Sequence, residues 1–322
     1  MTDPVVPEPI PTPAVDVSSD VSAPIVVREL DVAGPDGAVL HAYDTGAPDG
    51  VEDPLVVVWF HGTPNIGPPP APLFDAGRRH GIRWVGYDRP GYGGSTPRPD
   101  RSVASAATDL RRVLDHLGID GFAAMGHSGG GPHALAAAAL MPERVRSVAV
   151  MSPVAPYGPA TAEGLDWFAG LAPAGEASLR AAVAGRAAKE RHEAAVADGP
   201  EQSAEDIGFL PVDEDVLAGP WGWLGSVVRP AMAAGAGPVV DDDLAYVRDW
   251  GFDPADVTAP TLVVHGDADG MVPASHGRWL AARVPDAELW VEAGGGHISV
   301  LSRAEDALDW LAEHARRLKR PR

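Results

Sequence analysis

From about Ile25 onward the chain alternates between short, nearly continuous apolar runs and longer stretches in which apolar residues return every three or four positions. The runs IVVREL, AVLHAYD, PLVVVWF, IRWVGYD, GFAAMGH, VRSVAVM, PTLVVHG and AELWVEA have strand length and are bounded by turn residues. Several are apolar almost throughout, the pattern of strands covered on both faces in a largely parallel sheet. Between the later runs lie SVASAATDLRRVLDHLG, GGPHALAAAALM, SHGRWLAARV and AEDALDWLAEHARRLK, each with helical periodicity. Strands alternating with helices of this length predict an α/β fold: a mostly parallel eight-stranded sheet with helices on both faces.

The alternation fails once. Between about Ala155 and Leu244 the sequence has helical patterns and Gly/Pro breaks but no strand, and APTLVVHG then resumes the sheet. Residues 155–244 are therefore expected to form an inserted helical lid over the edge of a core made from residues 25–154 and 245–322. Residues 1–24 are Pro-rich and broken by acids, so an extended or disordered tail is expected there. That tail lacks the basic start and apolar stretch of a signal peptide, and no run approaches the roughly 18 apolar residues of a membrane span.

Composition narrows the partners. A net charge of -20, from 45 acidic against 25 basic side chains, argues against a nucleic acid surface and against anionic membrane. Lys189 and Lys319 are the only lysines, so nearly all positive charge is Arg. With no Cys there can be no disulfide, thiolate metal site or Cys nucleophile. A soluble, cytoplasmic protein acting on a small molecule is expected.

The candidate chemistry centres on GHSGG, Gly126 to Gly130, with a predicted strand before it and a predicted helix after it. A strained strand-to-helix turn can present a Ser hydroxyl only if the residues two before and two after it lack bulk, and both are Gly here. Ser128 is the candidate nucleophile. Its hydroxyl needs a base and a group to orient that base. EAGGGHISVL follows the last predicted strand and supplies His297; His80, His116, His133, His192 and His314 are read as surface or core residues. LVVHGDADGMVP offers two carboxylates. Asp269 is the expected acid and Asp267 its competitor, one of them being a turn-forming residue that bonds local amides. DADG lacks the remaining ligand spacing of a calcium loop. For an oxyanion hole, FHGTP offers the N–H of Thr63, and the helix start beyond Ser128 offers that of Gly129.

Taken in order, FHGTP, YDRPGYGGS, GHSGGGP, HGDADGMVP and GGGH resemble the α/β-hydrolase superfamily, in its lid-bearing Ser-Asp-His branch, over nearly everything after the tail. The resemblance implies triad positions for Ser128, Asp269 and His297, oxyanion positions for Thr63 and Gly129, and a structural loop at Tyr87–Ser95 with a Pro inserted after Arg89. It implies a carboxylesterase or lactonase that needs no cofactor and no metal. Haloalkane dehalogenases and epoxide hydrolases of this fold carry Asp at the elbow, against Ser128. Proline iminopeptidases are an alternative, although their oxyanion loop usually reads H-G-G-P-G. Perhydrolase or haloperoxidase activity and a slow ligand-binding receptor also stay open; a degraded triad would favour the receptor. Gly129, where the family often has a larger side chain, either leaves room beside the nucleophile or marks a tightly packed helix start. Trp167, Phe168, Trp221 and Trp223 are aromatics of the insertion, expected as its core or as a pocket wall.

Overall fold

The computed structural model describes residues 24–317. The Pro-rich segment 1–24 lies outside the described residues except for Pro24, and so does Lys319. Among the described residues eight strands form one sheet: β1 Arg28–Ala33, β2 Val39–Asp44, β3 Leu55–Phe60, β4 Ile82–Tyr87, β5 Phe122–His127, β6 Val145–Met151, β7 Thr261–Gly266 and β8 Ala287–Glu292. Their spatial order is β1-β2-β4-β3-β5-β6-β7-β8. The pairs β1–β2 and β2–β4 are antiparallel; the rest are parallel.

The sheet is covered on both faces because the period-two pattern sends alternate apolar residues each way. In β3, Val56, Val58 and Phe60 enter one core cluster while Leu55, Val57 and Trp59 enter the other. Helices α1 Phe74–Arg79, α2 Ser105–His116 and α3 Gly130–Leu140 follow β3, β4 and β5. Leu110, Val113 and Leu114 of α2 and Ala134 to Ala138 of α3 cover the first face, and Ala76 of α1 the second.

Between β6 and β7 the chain runs through α4 Tyr157–Ala162, α5 Pro173–Val183, α6 Arg186–Asp198, α7 Ala204–Ile207, α8 Pro211–Leu217, α9 Leu224–Ala231 and α10 Gly237–Val247. Helix α10 continues past the expected boundary at Leu244, since Ala245 and Tyr246 extend its buried face. Then α11 Ala274–Arg283 packs on the first face and α12 Ala304–Arg317 on the second.

Two elements differ from the sequence reading. Strand β1 begins at Arg28, not in the apolar run from Ile25, and Val26 is exposed. As an edge strand paired only with β2, it needs one apolar face, which Leu30 and Val32 provide. Helix α1 was not expected; its six residues are too few to show a helical period. Among the described residues no helix is long and apolar enough to cross a membrane.

Candidate active site

Every candidate site residue follows the C-terminal end of a strand, on the edge where open α/β sheets bind ligands. Ser128 comes directly after β5 with φ of 54°, in the left-handed region that a non-Gly residue rarely adopts. Its N–H donates to Met151 O at 2.8 Å and its carbonyl accepts from Gly131 N–H at 2.9 Å, which hold the turn. A Cβ on Gly126 would lie 2.8 Å from Gly130 O, and one on Gly130 would collide with Phe60 O. The two glycines are thus required by close approach of β3, β5 and α3.

His297 and Asp269 meet across the loops after β8 and β7. The His297 ring is 2.8 Å from Asp269 Oδ2 through Nδ1, so Nδ1–H donates to the carboxylate and Nε2 is left to handle a proton. Asp269 Oδ1 accepts from Met271 N–H at 2.9 Å and Val272 N–H at 2.8 Å. Burial alone would raise this carboxyl, yet His297 and His265 beside it hold it well below the usual carboxylate range. His265 Nε2 donates to Val272 O at 2.8 Å and stands 3.5 Å from Asp269 Oδ2. Asp267 is exposed, and its Oδ1 accepts from Gly294 N–H at 2.6 Å, an interaction between loops away from His297.

His127, between Gly126 and Ser128, was not singled out by the sequence reading. Burial and the adjacent His297 push it down to about 3, so it is neutral, and its Nε2–H donates to the backbone carbonyl of His297 at 3.0 Å. His297 is thereby held both at its carboxylate partner and at its own main chain.

Thr63 and Gly129 lie side by side. Among the described residues, no backbone carbonyl outside the regular elements takes the N–H of either. The Thr63 hydroxyl donates to Asp242 Oδ2 at 2.6 Å, accepts from Arg89 Nη2 at 3.0 Å and is 2.8 Å from the Tyr246 hydroxyl. Arg89 also donates to the carbonyls of His61 and Gly62. Asp242 is fully buried; it pairs with Arg89 at 2.6 Å and Arg101 at 2.5 Å and accepts from Tyr92 Oη at 2.9 Å. Burial opposes its charge, but the two guanidinium groups hold it well below the ordinary range. Helix α10 thus anchors the Thr63 loop through Asp242 and Tyr246. A Cβ on Gly129 would collide with the Tyr246 hydroxyl, so this glycine marks tight packing and not open space beside Ser128. His133, expected in the core, is buried and donates Nδ1–H to Gly129 O at 2.7 Å, its charge suppressed to a pKa of about 3 chiefly by burial.

A cavity of about 430 Å³ brings Gly62, Thr63, Ser128 and His297 together. Ile207, Phe209, Leu217, Leu224 and Val228 of the helical segment wall it, with Met271 and Ile298 from the core. Asn65 and His127 add polar groups, and among the described residues no Lys, Arg, Asp or Glu lines the cavity. The four insertion aromatics line none of it: Trp167 packs with Tyr157, Phe168 and His276, and Trp221 with Trp223.

An eight-stranded sheet with a Ser on a strained turn after β5 and a His–Asp pair after β8 and β7 defines a hydrolase-type α/β protein. The family model for the alpha/beta hydrolase fold matches residues 56–304, and the chain belongs to that family. It is 29% identical over 303 residues, 90% of this chain and 94% of the relative, to a 2-hydroxy-6-oxononadienedioate/2-hydroxy-6-oxononatrienedioate hydrolase of Pseudomonas putida. It is 30% identical over 233 residues to the polyketide synthase ThaQ of Burkholderia thailandensis, where the match covers 71% of this chain but only 10% of that protein. The structure of a 2-hydroxy-6-oxo-6-phenylhexa-2,4-dienoate hydrolase from Rhodococcus sp. strain RHA1 superposes with a TM-score of 0.62 at 22% identity, covering 90% of this chain and 100% of that one.

Proposed function

We propose that the protein is a serine hydrolase that cleaves a carboxylic ester or lactone of a small, largely apolar molecule. The observation that carries this is the His297–Asp269 pair at 2.8 Å, on a cavity that Ser128 shares and that apolar side chains wall. Ser128 Oγ attacks the carbonyl carbon while His297 Nε2 takes its proton, and Asp269 stabilises the imidazolium. The oxyanion is met by the N–H groups of Thr63 and Gly129. Collapse breaks the bond to the leaving oxygen, which receives the proton from His297. Water, deprotonated by His297, then attacks the acyl-Ser128, releasing the acid and returning the proton to Ser128. The helical segment acts as a lid whose inner face selects the acyl or ring portion.

The lining weighs against two neighbouring readings. An aminopeptidase must hold a free ammonium group, for which an acidic side chain in the cavity is the natural partner, and none lines it. A dienedioate, as named for the Pseudomonas putida relative, brings carboxylates that call for Lys or Arg, and the lining has neither. The test is hydrolysis of a panel of short and long p-nitrophenyl esters, simple lactones and Pro-p-nitroanilide by wild type and Ser128→Ala. Ser128-dependent ester or lactone turnover without anilide cleavage is expected; anilide cleavage would move the protein to the aminopeptidases.

A further inference from the structure

The loop that carries His297 is gripped from the helical segment between β6 and β7. Asp213, in α8, has no exposed surface. Its Oδ1 accepts from Ile298 N–H at 3.0 Å and Ser299 N–H at 2.6 Å, across 85 and 86 residues of sequence, and its Oδ2 accepts from Leu210 N–H at 2.9 Å. The first two amides open the 3-10 turn Ser299–Arg303, where the chain supplies no acceptor of its own. Gly296 N–H donates to Ser299 Oγ at 2.7 Å, closing the loop on itself. A Cβ on Gly296 would collide with the Asp213 carboxylate, which therefore lies against the backbone just before His297 as well as just after it. Among the described residues no Lys or Arg forms an ion pair with Asp213, so backbone amides alone answer its charge. Leu217, from the same helix, lines the cavity with Ser128 and His297.

We propose that Asp213 is a positioning residue for the base. It fixes residues 296–299, hence the place from which the imidazole reaches Ser128, and it makes that place depend on how the helical segment is seated. The cavity wall and the proton-transfer geometry are then set by one buried carboxylate. Asp213 touches neither substrate nor reacting atoms. The proposal rests on the serine hydrolase reading. It also explains the last glycine of GGGH, which a carboxylate packed on its Cα requires.

The test uses the full chain with Asp213→Ala, Asp213→Asn, Gly296→Ala and the double variant Asp213→Ala/Gly296→Ala. The readouts are the rate constant for modification of Ser128 by a fluorophosphonate, located by peptide mass, kcat and KM on an ester, and the melting temperature. Misplacing a reacting group by about 1 Å can cost ~10²-fold, so Asp213→Ala should slow labelling and lower kcat by about that factor with little change in KM. Asp213→Asn keeps an oxygen for Ile298 and Ser299 and should recover most of the loss. Gly296→Ala should mimic Asp213→Ala in the wild-type background and add little in the Asp213→Ala background, where the space is free. A folded Asp213→Ala protein labelled at the wild-type rate overturns the proposal. Should that variant fail to fold, a folded and fully reactive Gly296→Ala protein overturns it instead. A wild type in which Ser128 is never labelled overturns the hydrolase reading and this proposal together, whereas a labelled wild type with indifferent variants removes only the role of Asp213.

Discussion

At the scale of single residues the proposed catalysis turns on Ser128, His297 and Asp269, with Asp267 as the competing acid. Ser128→Ala should lose turnover by up to about 10⁶-fold, the order seen for such nucleophiles, with an unchanged circular dichroism spectrum. An active Ala variant would remove the mechanism. Asp269→Asn should cost about 10⁴-fold in kcat, because an amide no longer enforces the tautomer with Nδ1–H. Asp267→Asn should stay near wild type, since Asp267 only bridges to Gly294 N–H; the reverse ranking would reassign the acid. Ser128, Asp269 and His297 could be proposed from the sequence because each stands in a short motif after a strand, with small neighbours beside Ser128 and His297. His127, His265 and Asp213 were not. Their hydrogen-bond partners are chiefly backbone groups, remote in sequence for His127 and Asp213, and nothing local distinguishes a buried carboxylate that accepts distant amides from an ordinary helix-start Asp.

At the scale of elements, α10 shows what a pattern can and cannot disclose. Three consecutive acids, Asp241, Asp242 and Asp243, stand about 100° apart around a helix and so point in different directions. All three are buried. Asp241 pairs with Arg186, Asp242 with Arg89 and Arg101, and Asp243 with Lys189 at 2.5 Å, a fully buried lysine that α6 supplies. Nothing in the run itself says which cations answer these acids; that depends on tertiary packing. Asp242→Ala should destabilise the protein by about 3–5 kcal/mol, because it leaves two guanidinium groups buried and uncompensated. Chemical denaturation measures this, and a loss below about 1 kcal/mol would mean that water reaches the site freely. Tyr246→Phe removes one anchor of the Thr63 hydroxyl but keeps Asp242 and Arg89, so it should lower kcat by less than the roughly 10²-fold expected for losing an oxyanion donor outright. The sequence pattern misplaces the start of the edge strand β1 and the end of α10 by a few residues and misses the short α1 altogether, where apolar periodicity carries least information.

For the whole molecule, the buried histidines set the response to acid. His127 and His133 are pushed down to about 3 and His276 to about 4, each chiefly by burial, and His61 lies well below its ordinary value for the same reason and through Arg89. An unfolded His binds its proton near pH 6.5, so between that pH and the folded values the unfolded chain holds more protons. The stability is fully present above about pH 6.5. It falls as pH drops through that window, each group contributing a slope of up to about 1.4 kcal/mol per pH unit. His41 opposes this with a single proton: despite partial burial, its bond to Asp31 raises it. Asp242 and Asp269, held low in the fold, add their losses only below the unfolded carboxylate range near 4. Asp88 and Asp243, raised by burial, oppose the fall where they take up protons, but they are outnumbered by the four lowered histidines. The melting temperature should therefore begin to fall between about pH 6.5 and 5, ahead of the carboxylates held low, and a flat value over that interval would contradict the neutral burial of these rings. The central claim is covalent catalysis by Ser128 in an apolar cavity, and rapid quenching of the wild type with a p-nitrophenyl alkanoate, followed by intact and peptide mass analysis, tests it most directly. The acyl group is expected on the peptide bearing Ser128 and absent in Ser128→Ala; ester turnover that leaves no acyl adduct and persists undiminished in Ser128→Ala would contradict covalent catalysis by Ser128.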